Sequence, residues 1–233
     1  MSLEQVGTKG YAAGFNGLIG YINSHLPKNE VIGQALRQPV TVYPELAIRE
    51  LVANAIIHQD FSITGNGPMV ELFSDRMEIT NPGKPLGDPQ RLLDHPPRSR
   101  NETLASLMRL MGVCEERGSG VDKVVLEAER YQLPAPAFEI VSETMRSTLF
   151  TPRSLVKMDS TDRIRAVYLH ACLRYVERDF MTNTTVRGRF GISELNSATA
   201  SRLIREALDA GEIRLHDEDA APKFRKYVPK WAI

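Results

Sequence analysis

An α/β (α+β) sandwich, in which a mixed sheet carries helices on one face, followed by a small helical domain closed by a hairpin, is the fold class that this sequence predicts. Three patterns point to it. A proline-led apolar helix runs from Glu45 to His58, and a strand–turn–strand pattern follows from Met69 to Thr80. Beyond residue 160 come three helical patterns and two strand-like runs within the last seventy or so residues.

Taken in order, Phe15, Leu18, Ile19, Ile22 and Leu26 recur at helical spacing, and Pro27 stops the run, which predicts a helix over 15–26. Val31 to Tyr43 is rich in β-branched residues and predicts one or two strands, with Pro39 at an edge or break. In the helix after Pro44, Ile48, Leu51, Val52, Ala55 and Ile56 form a single stripe, and a first-turn proline is harmless there because its missing N–H has no intrahelical partner. Ser74-Asp75 sits between two apolar runs and predicts a hairpin. Asn81-Pro82-Gly83 ends its second strand. Residues 84–101 are rich in proline, glycine and charge and predict a long loop able to act as a lid. Helices are predicted over 102–112 and 119–131, then strands over Phe138 to Ser142 and Thr148 to Thr151, joined near Met145-Arg146.

Pro152 to Ser160 reads as a linker, which sets the domains at 1–153 and 160–233. Helical patterns over 161–178, 182–190 and 197–210 precede Ile213-Arg214-Leu215 and Phe224 to Val228. Helix, helix, turn, helix and hairpin is the order of a winged helix. Trp231 is expected to pack against the small core.

The formal charge of the whole chain is zero, so the total points to neither nucleic acid nor a membrane surface. Residues 154–233 nevertheless hold fourteen Lys and Arg against eleven Asp and Glu, which leaves the tail mildly basic. Cys114 and Cys172 are the only cysteines and lie far apart, so neither a disulfide framework nor a cysteine-rich zinc cluster is expected. No apolar run approaches the roughly 18 residues that a membrane helix needs, nor is there a signal-peptide pattern. A cytoplasmic protein with no membrane partner is the expectation.

Glu50, Asn54 and His58 recur every four residues and drift by only about 40° per step, so they form one polar ridge beside the apolar stripe. In a nucleotide site a carboxylate can orient an attacking water, and an amide oxygen can complete the octahedral shell of Mg²⁺ bridging phosphates. A plain solvated helix face gives the same spacing. Gly83 directly after a strand permits a flat ligand to approach the backbone. Gly118-Ser119-Gly120 opens a helix, where free N–H groups and the positive dipole end attract phosphate, although such a segment also serves as an ordinary turn and cap.

The stretch from Tyr43-Pro44-Glu45 through Arg49-Glu50-Leu51-Val52-Ala53-Asn54 to His58-Gln59-Asp60-Phe61, with Ile79-Thr80-Asn81-Pro82-Gly83, Arg98-Ser99-Arg100-Asn101 and Glu116-Arg117-Gly118-Ser119-Gly120, resembles one known module. It is the C-terminal ATPase-like module of RecG-related or Schlafen AlbA-type transcriptional regulators of bacteria and archaea. The resemblance covers roughly residues 30–150. That module is similar to the gyrase, heat-shock chaperone, histidine kinase and MutL ATPases, which implies a Bergerat-type sandwich taking ATP or another adenine nucleotide with Mg²⁺. The resemblance implies Glu50 as the water-activating carboxylate and Asn54 as the Mg²⁺ ligand. It implies Asn81 and Gly83 on the adenine side, with Gly118, Ser119 and Gly120 on the phosphate side. His58, Arg98 and Asn101 join the nucleotide-contacting set. Two departures stand out: Asn81 replaces the usual aspartate, and Asp122 puts a negative charge near the phosphate end. No Gly-x-x-x-x-Gly-Lys-Ser/Thr loop is present, so helicase activity is not expected despite the family label.

In the tail, the recognition helix is expected at 197–210, with Ser197, Thr199, Ser201, Arg202 and Arg205 facing double-stranded DNA. Arg187 and Arg189 are expected at the groove edge, and Lys223, Arg225 and Lys226 on the wing, where their charge would neutralise phosphate. The acidic tip Asp217-Glu218-Asp219 fits phosphate poorly. The expected function is a DNA-binding transcription regulator with a nucleotide-binding domain. Two alternatives stand beside it: a Mg²⁺-dependent ATPase whose tail docks partners, and a dimerisation module with a vestigial pocket. Self-association into a homo-oligomer is left open.

Overall fold

The computed structural model describes residues 8–32, 37–96, 98–114 and 120–232. Helix α1 (Tyr11–His25) starts one turn earlier than its apolar pattern and buries Phe15, Ile19 and Ile22. Strands β1 (Lys28–Ile32) and β2 (Arg37–Thr41) pair antiparallel, with Pro39 opposite Glu30. Helix α2 (Glu45–His58) follows Pro44 and buries more than a stripe: Ala47, Ile48, Leu51, Val52, Ala53, Ala55, Ile56 and Ile57 are all inside. It is packed by α1 on one side and by the sheet on another, which explains why so little of it stays wet.

The main sheet is built from β3 (Met69–Leu72), β4 (Arg76–Pro82), β5 (Ala137–Val141) and β6 (Thr144–Phe150), in the order β3-β4-β6-β5. All three ladders are antiparallel, and an isolated parallel bridge joins Gly83 and Thr144. The expected turn at Met145-Arg146 is corrected: both residues lie inside β6, and the chain reverses at Ser142-Glu143. Ser142 has φ 56°, the positive value that a two-residue hairpin loop demands. Side chains alternate across the sheet. Met77 and Ile79 of β4 join Val70, Phe138 and Leu149 in the core beneath α2, and Asn81 continues the same face. On the other face Glu78 is buried between Arg76, whose Nε donates at 2.6 Å, and Arg146, whose Nε lies at 3.3 Å.

Helices α3 (Glu102–Leu110) and α4 (Gly120–Arg130) cover the same face of the sheet as α2, bringing Ala105, Met108 and Val124 into its core. Helix α5 (Ser160–Val176) is capped by Asp159, which accepts from the Asp162 N–H at 2.8 Å. Helix α6 (Asn183–Phe190) starts at a Thr182–Thr185 capping box and stops at Gly191 with φ 61°. Helix α7 (Ser197–Asp209) leads into the ribbon of β7 (Ile213–Leu215) and β8 (Tyr227–Pro229). The second strand therefore starts later than expected, because Pro222–Phe224 forms a 3-10 turn. The stretch read as a linker carries a 3-10 turn over Leu155–Lys157, and Arg153 pairs with Asp162 at 2.9 Å.

Helix α5 serves two cores. Val167 and Ala171 pack with Met181, Val186, Leu203 and Ile213, whereas Tyr168, Leu169, Cys172 and Leu173 pack with Leu93, Val125 and Ala135. Trp231 belongs to the second group rather than to the small helical core, its Nε1–H donating to Tyr168 Oη at 3.0 Å while the Arg91 guanidinium lies over its ring. No helix among the described residues is long and apolar enough to cross a membrane.

Candidate functional site

The polar ridge of α2 opens onto a cavity of about 480 Å³, lined by Glu50, Asn54 and His58 together with Asn81 and Gly120. The period of two in β4 puts Asn81 there: core residues Met77 and Ile79 point the same way one and two pleats earlier. Its register partner Met145 and the next inward residue of β6, Ser147, complete that wall. The amide N–H of Asn81 donates to Pro82 O at 3.3 Å, and no described residue donates to its Oδ1. Asn81 thus presents an acceptor to a ligand.

Gly120 closes the other end. A Cβ there would lie 2.6 Å from Glu50 Oε2 and 3.5 Å from Asn54 Nδ2, so a side chain at this position would have to displace the Glu50 carboxylate. Gly118 and Ser119 lie outside the described residues. Asp122 is not among the lining residues, which answers the concern about its charge. It is half-buried, and burial followed by the nearby Glu177 pushes its carboxyl up to about 6.

Gly83 has φ 94°, and a Cβ on it would lie 2.1 Å from Arg100 Nη1 and 2.6 Å from Asp60 Cβ. The residue is not itself on the cavity wall; it makes room for the Arg100 side chain, which pairs with Asp60 at 3.2 Å and donates to Lys84 O at 2.8 Å. Hydrogen bonds from Ser62, with Arg100 adding its charge, hold the Asp60 carboxyl below its ordinary value. The loop over 84–100 is thereby strapped across the end of β4, and Arg98 lines the cavity from it. Asn101 does not line this cavity. Its Nδ2 donates at 2.8 Å to both Ile57 O and Gln59 O, satisfying backbone carbonyls that the end of α2 leaves without helical partners. His58 faces the cavity with its pKa lowered from 6.5, first by burial and then by Arg100, both of which favour the neutral imidazole.

Sequence reasoning missed Lys84, His95, Arg109 and Cys114 on the wall. The cue for Arg109 was helical spacing, since Glu102, Ala105, Ser106 and Arg109 form one stripe of α3. Among the described residues no three His, Cys, Asp or Glu side chains cluster to hold a metal. One carboxylate and one amide, Glu50 and Asn54, still suit Mg²⁺, which usually keeps waters and phosphate oxygens as its other ligands.

In the tail, Ser197, Ser201, Arg202 and Arg205 are exposed along α7, whereas Thr199 is half-buried. Ser201 Oγ accepts from Asn183 Nδ2 at 2.9 Å. Arg187 is half-buried, donating to Asn183 Oδ1 at 3.2 Å and lying 3.7 Å from Glu194. Lys223, Arg225 and Lys226 are exposed, with the Lys226 ammonium over the Phe180 ring. Arg189 is a correction: its side chain is 2% exposed, its Nη2 donates to Leu133 O at 2.7 Å and its Nε lies 3.4 Å from Glu129, so it faces α4 and cannot reach a phosphate. His170 shares Glu129, with Nδ1 3.0 Å from one carboxylate oxygen.

A family model described as "Putative ATP-dependent DNA helicase recG C-terminal" matches residues 65–149, an ATPase-like module. The matched stretch holds Asn81, the loop and Gly120, and begins after α2. The fold is similar to the crystal structure of the DIP2311 protein from Corynebacterium diphtheriae, with a TM-score of 0.57 and 22% identity, over 92% of this chain and 45% of that one. The chain thus spans less than half the length of that protein. No curated protein gave a significant match to the chain.

Proposed function

We propose that this protein is a nucleotide-responsive, DNA-binding transcription regulator. The observation that carries the reading is the single cavity onto which Glu50, Asn54, Asn81 and Gly120 converge from three separate parts of the chain. In a Bergerat-type site Asn54 would hold Mg²⁺ against the phosphates, Glu50 would orient water, and Asn81 Oδ1 would accept from the exocyclic amine of adenine. The tight seat of Gly120 on the Glu50 carboxylate supports binding with slow turnover, because an attacking water has to share that space. The C-terminal helices and ribbon are read as a winged helix that lays α7 on double-stranded DNA, with Arg202 and Arg205 exposed for that purpose. Helix α4 supports a link between the two ends. It meets the cavity at Gly120, while Glu129, Gln132 and Leu133 at and just past its C-terminal end hold α6.

A fluorescent ATP-analogue titration with and without Mg²⁺ tests the pocket. Binding should be retained in Glu50→Ala and lost in Asn54→Ala; no binding by the wild type at millimolar ligand removes the reading. A second reading, in which the tail docks a protein, draws on Leu195 and Phe224, which are 97% and 70% exposed. Salt-dependent gel shifts separate the two. Arg202→Ala and Arg205→Ala should weaken DNA binding and flatten its salt dependence, and unchanged shifts favour docking.

A further inference from the structure

Among the described residues, four arginine or lysine side chains line the cavity, and their partners divide them. Lys84 is neutralised by Glu143 at 2.7 Å, and Arg100 by Asp60 at 3.2 Å. Arg98 and Arg109 have no carboxylate partner among the described residues, and Arg109 Nη2 donates only to Ser106 Oγ, at 2.9 Å. An unneutralised guanidinium beside a cavity that also contains Glu50 points to an anionic guest.

The position of Arg109 fixes which part of the guest it meets. Asn101, at the start of α3, bonds to the carbonyls of Ile57 and Gln59, so α3 begins against the C-terminal end of α2. Its last turn lies toward Glu50: the Cys114 thiol, 3.9 Å from Ala105 O, is within the electrostatic reach of both Arg109 and Glu50. Asn81 belongs to the opposite end, because the backbone of Asp60, just past α2, bonds to Pro82 O at 2.8 Å. From Glu102 to Arg109 is roughly 10 Å along the helix, comparable to the step from His58 back to Glu50.

We propose that Arg109 binds the terminal phosphates of the nucleotide, reaching from α3 to the end of the cavity where Glu50, Asn54 and Gly120 meet. This rests on the nucleotide reading and adds to it a side-chain cation that offsets the charge of the phosphates. A guanidinium is suited to the role, because it stays charged and presents its donors as a planar fork that matches phosphate oxygens.

Calorimetric titrations of the full chain with ATP, AMP and adenosine, on wild type and Arg109→Gln, test the assignment. Arg109→Gln should weaken ATP about tenfold or more, the scale of a charge-assisted hydrogen bond. It should leave adenosine affinity and the melting temperature unchanged, with AMP affected less than ATP. Equal weakening of ATP and adenosine, or no change for ATP, overturns the role of Arg109 while leaving the nucleotide reading standing. If the wild type binds neither ATP nor adenosine, the nucleotide reading itself falls and takes this assignment with it.

Discussion

Gly120 lies so close to Glu50 that any side chain placed on it would drive into the carboxylate, a Cβ coming within 2.6 Å of Oε2. Two effects of Gly120→Ala therefore oppose each other. Helix propensity favours alanine, by less than the ~1 kcal/mol of a helix interior because Gly120 is the first residue of α4. Against that stands the Glu50 carboxylate, the far end of a flexible side chain, which swings aside to admit the methyl group at little cost and leaves α4 in place. A denaturant midpoint near that of the wild type together with weakened nucleotide binding, the methyl group standing in the corner proposed for the phosphates, is the expected outcome. Full affinity in the variant would mean that the phosphates lie elsewhere.

Asn101→Ala should act on the same site from a distance. It leaves the carbonyls of Ile57 and Gln59 without their donor, at a cost of about 1–3 kcal/mol, and frees the end of α2 that carries His58. Urea unfolding should report the loss of stability. Because Asn101 is off the cavity wall, nucleotide affinity should fall by less than in Asn54→Ala; a larger fall would mean that Asn101 touches the ligand.

The pH dependence of stability should carry the signature of Asp122. Its folded-state pKa of about 6 lies above the ordinary 3.8, so the folded chain binds more protons between those values and stability falls as pH rises through that window. Well below pH 3.8 both states are protonated and the penalty vanishes. Asp122→Asn should therefore be more stable than wild type at pH 7, by about 1 kcal/mol once solvent screening of a half-exposed group is allowed for, and equal to it at about pH 2.5. Unfolding curves at the two pH values check the sign.

Local periodicity made the α2 ridge and the β3–β4 hairpin legible, because both are set by neighbours in sequence. The sheet fell short of a full reading because Met145, Ser147 and Leu149 alternate with Arg146 and Thr148, and the polar Arg146 beside Ser147 looks like a turn when read singly. Arg187 and Arg189 illustrate a different limit. Two residues apart on a helix, they point roughly 200° away from each other, so they cannot both face one groove. Which of them turns inward depends on Glu129 and Leu133, more than fifty residues earlier. Gly83 was singled out for ligand approach, yet what approaches it is Arg100 of its own chain. Arg109 carries no motif, and its exposure to the cavity exists only once α3 is laid against α2.

The buried group formed by Glu129, Arg189 and His170 should dominate the junction between α4 and α6. Burial lowers the Arg189 pKa more than the opposing pull of Glu129 raises it, so the cation there depends on its partner to offset desolvation. Glu129→Ala removes that partner while the guanidinium stays inside, with an expected cost of about 3–5 kcal/mol. The double variant Glu129→Leu/Arg189→Leu leaves no stranded charge, though it still forfeits the bond to Leu133 O and the contact to His170. It should recover most of the lost stability by urea unfolding. Should the double variant prove as unstable as Glu129→Ala, the junction would rest on the hydrogen bonds to Leu133 and His170 rather than on charge pairing.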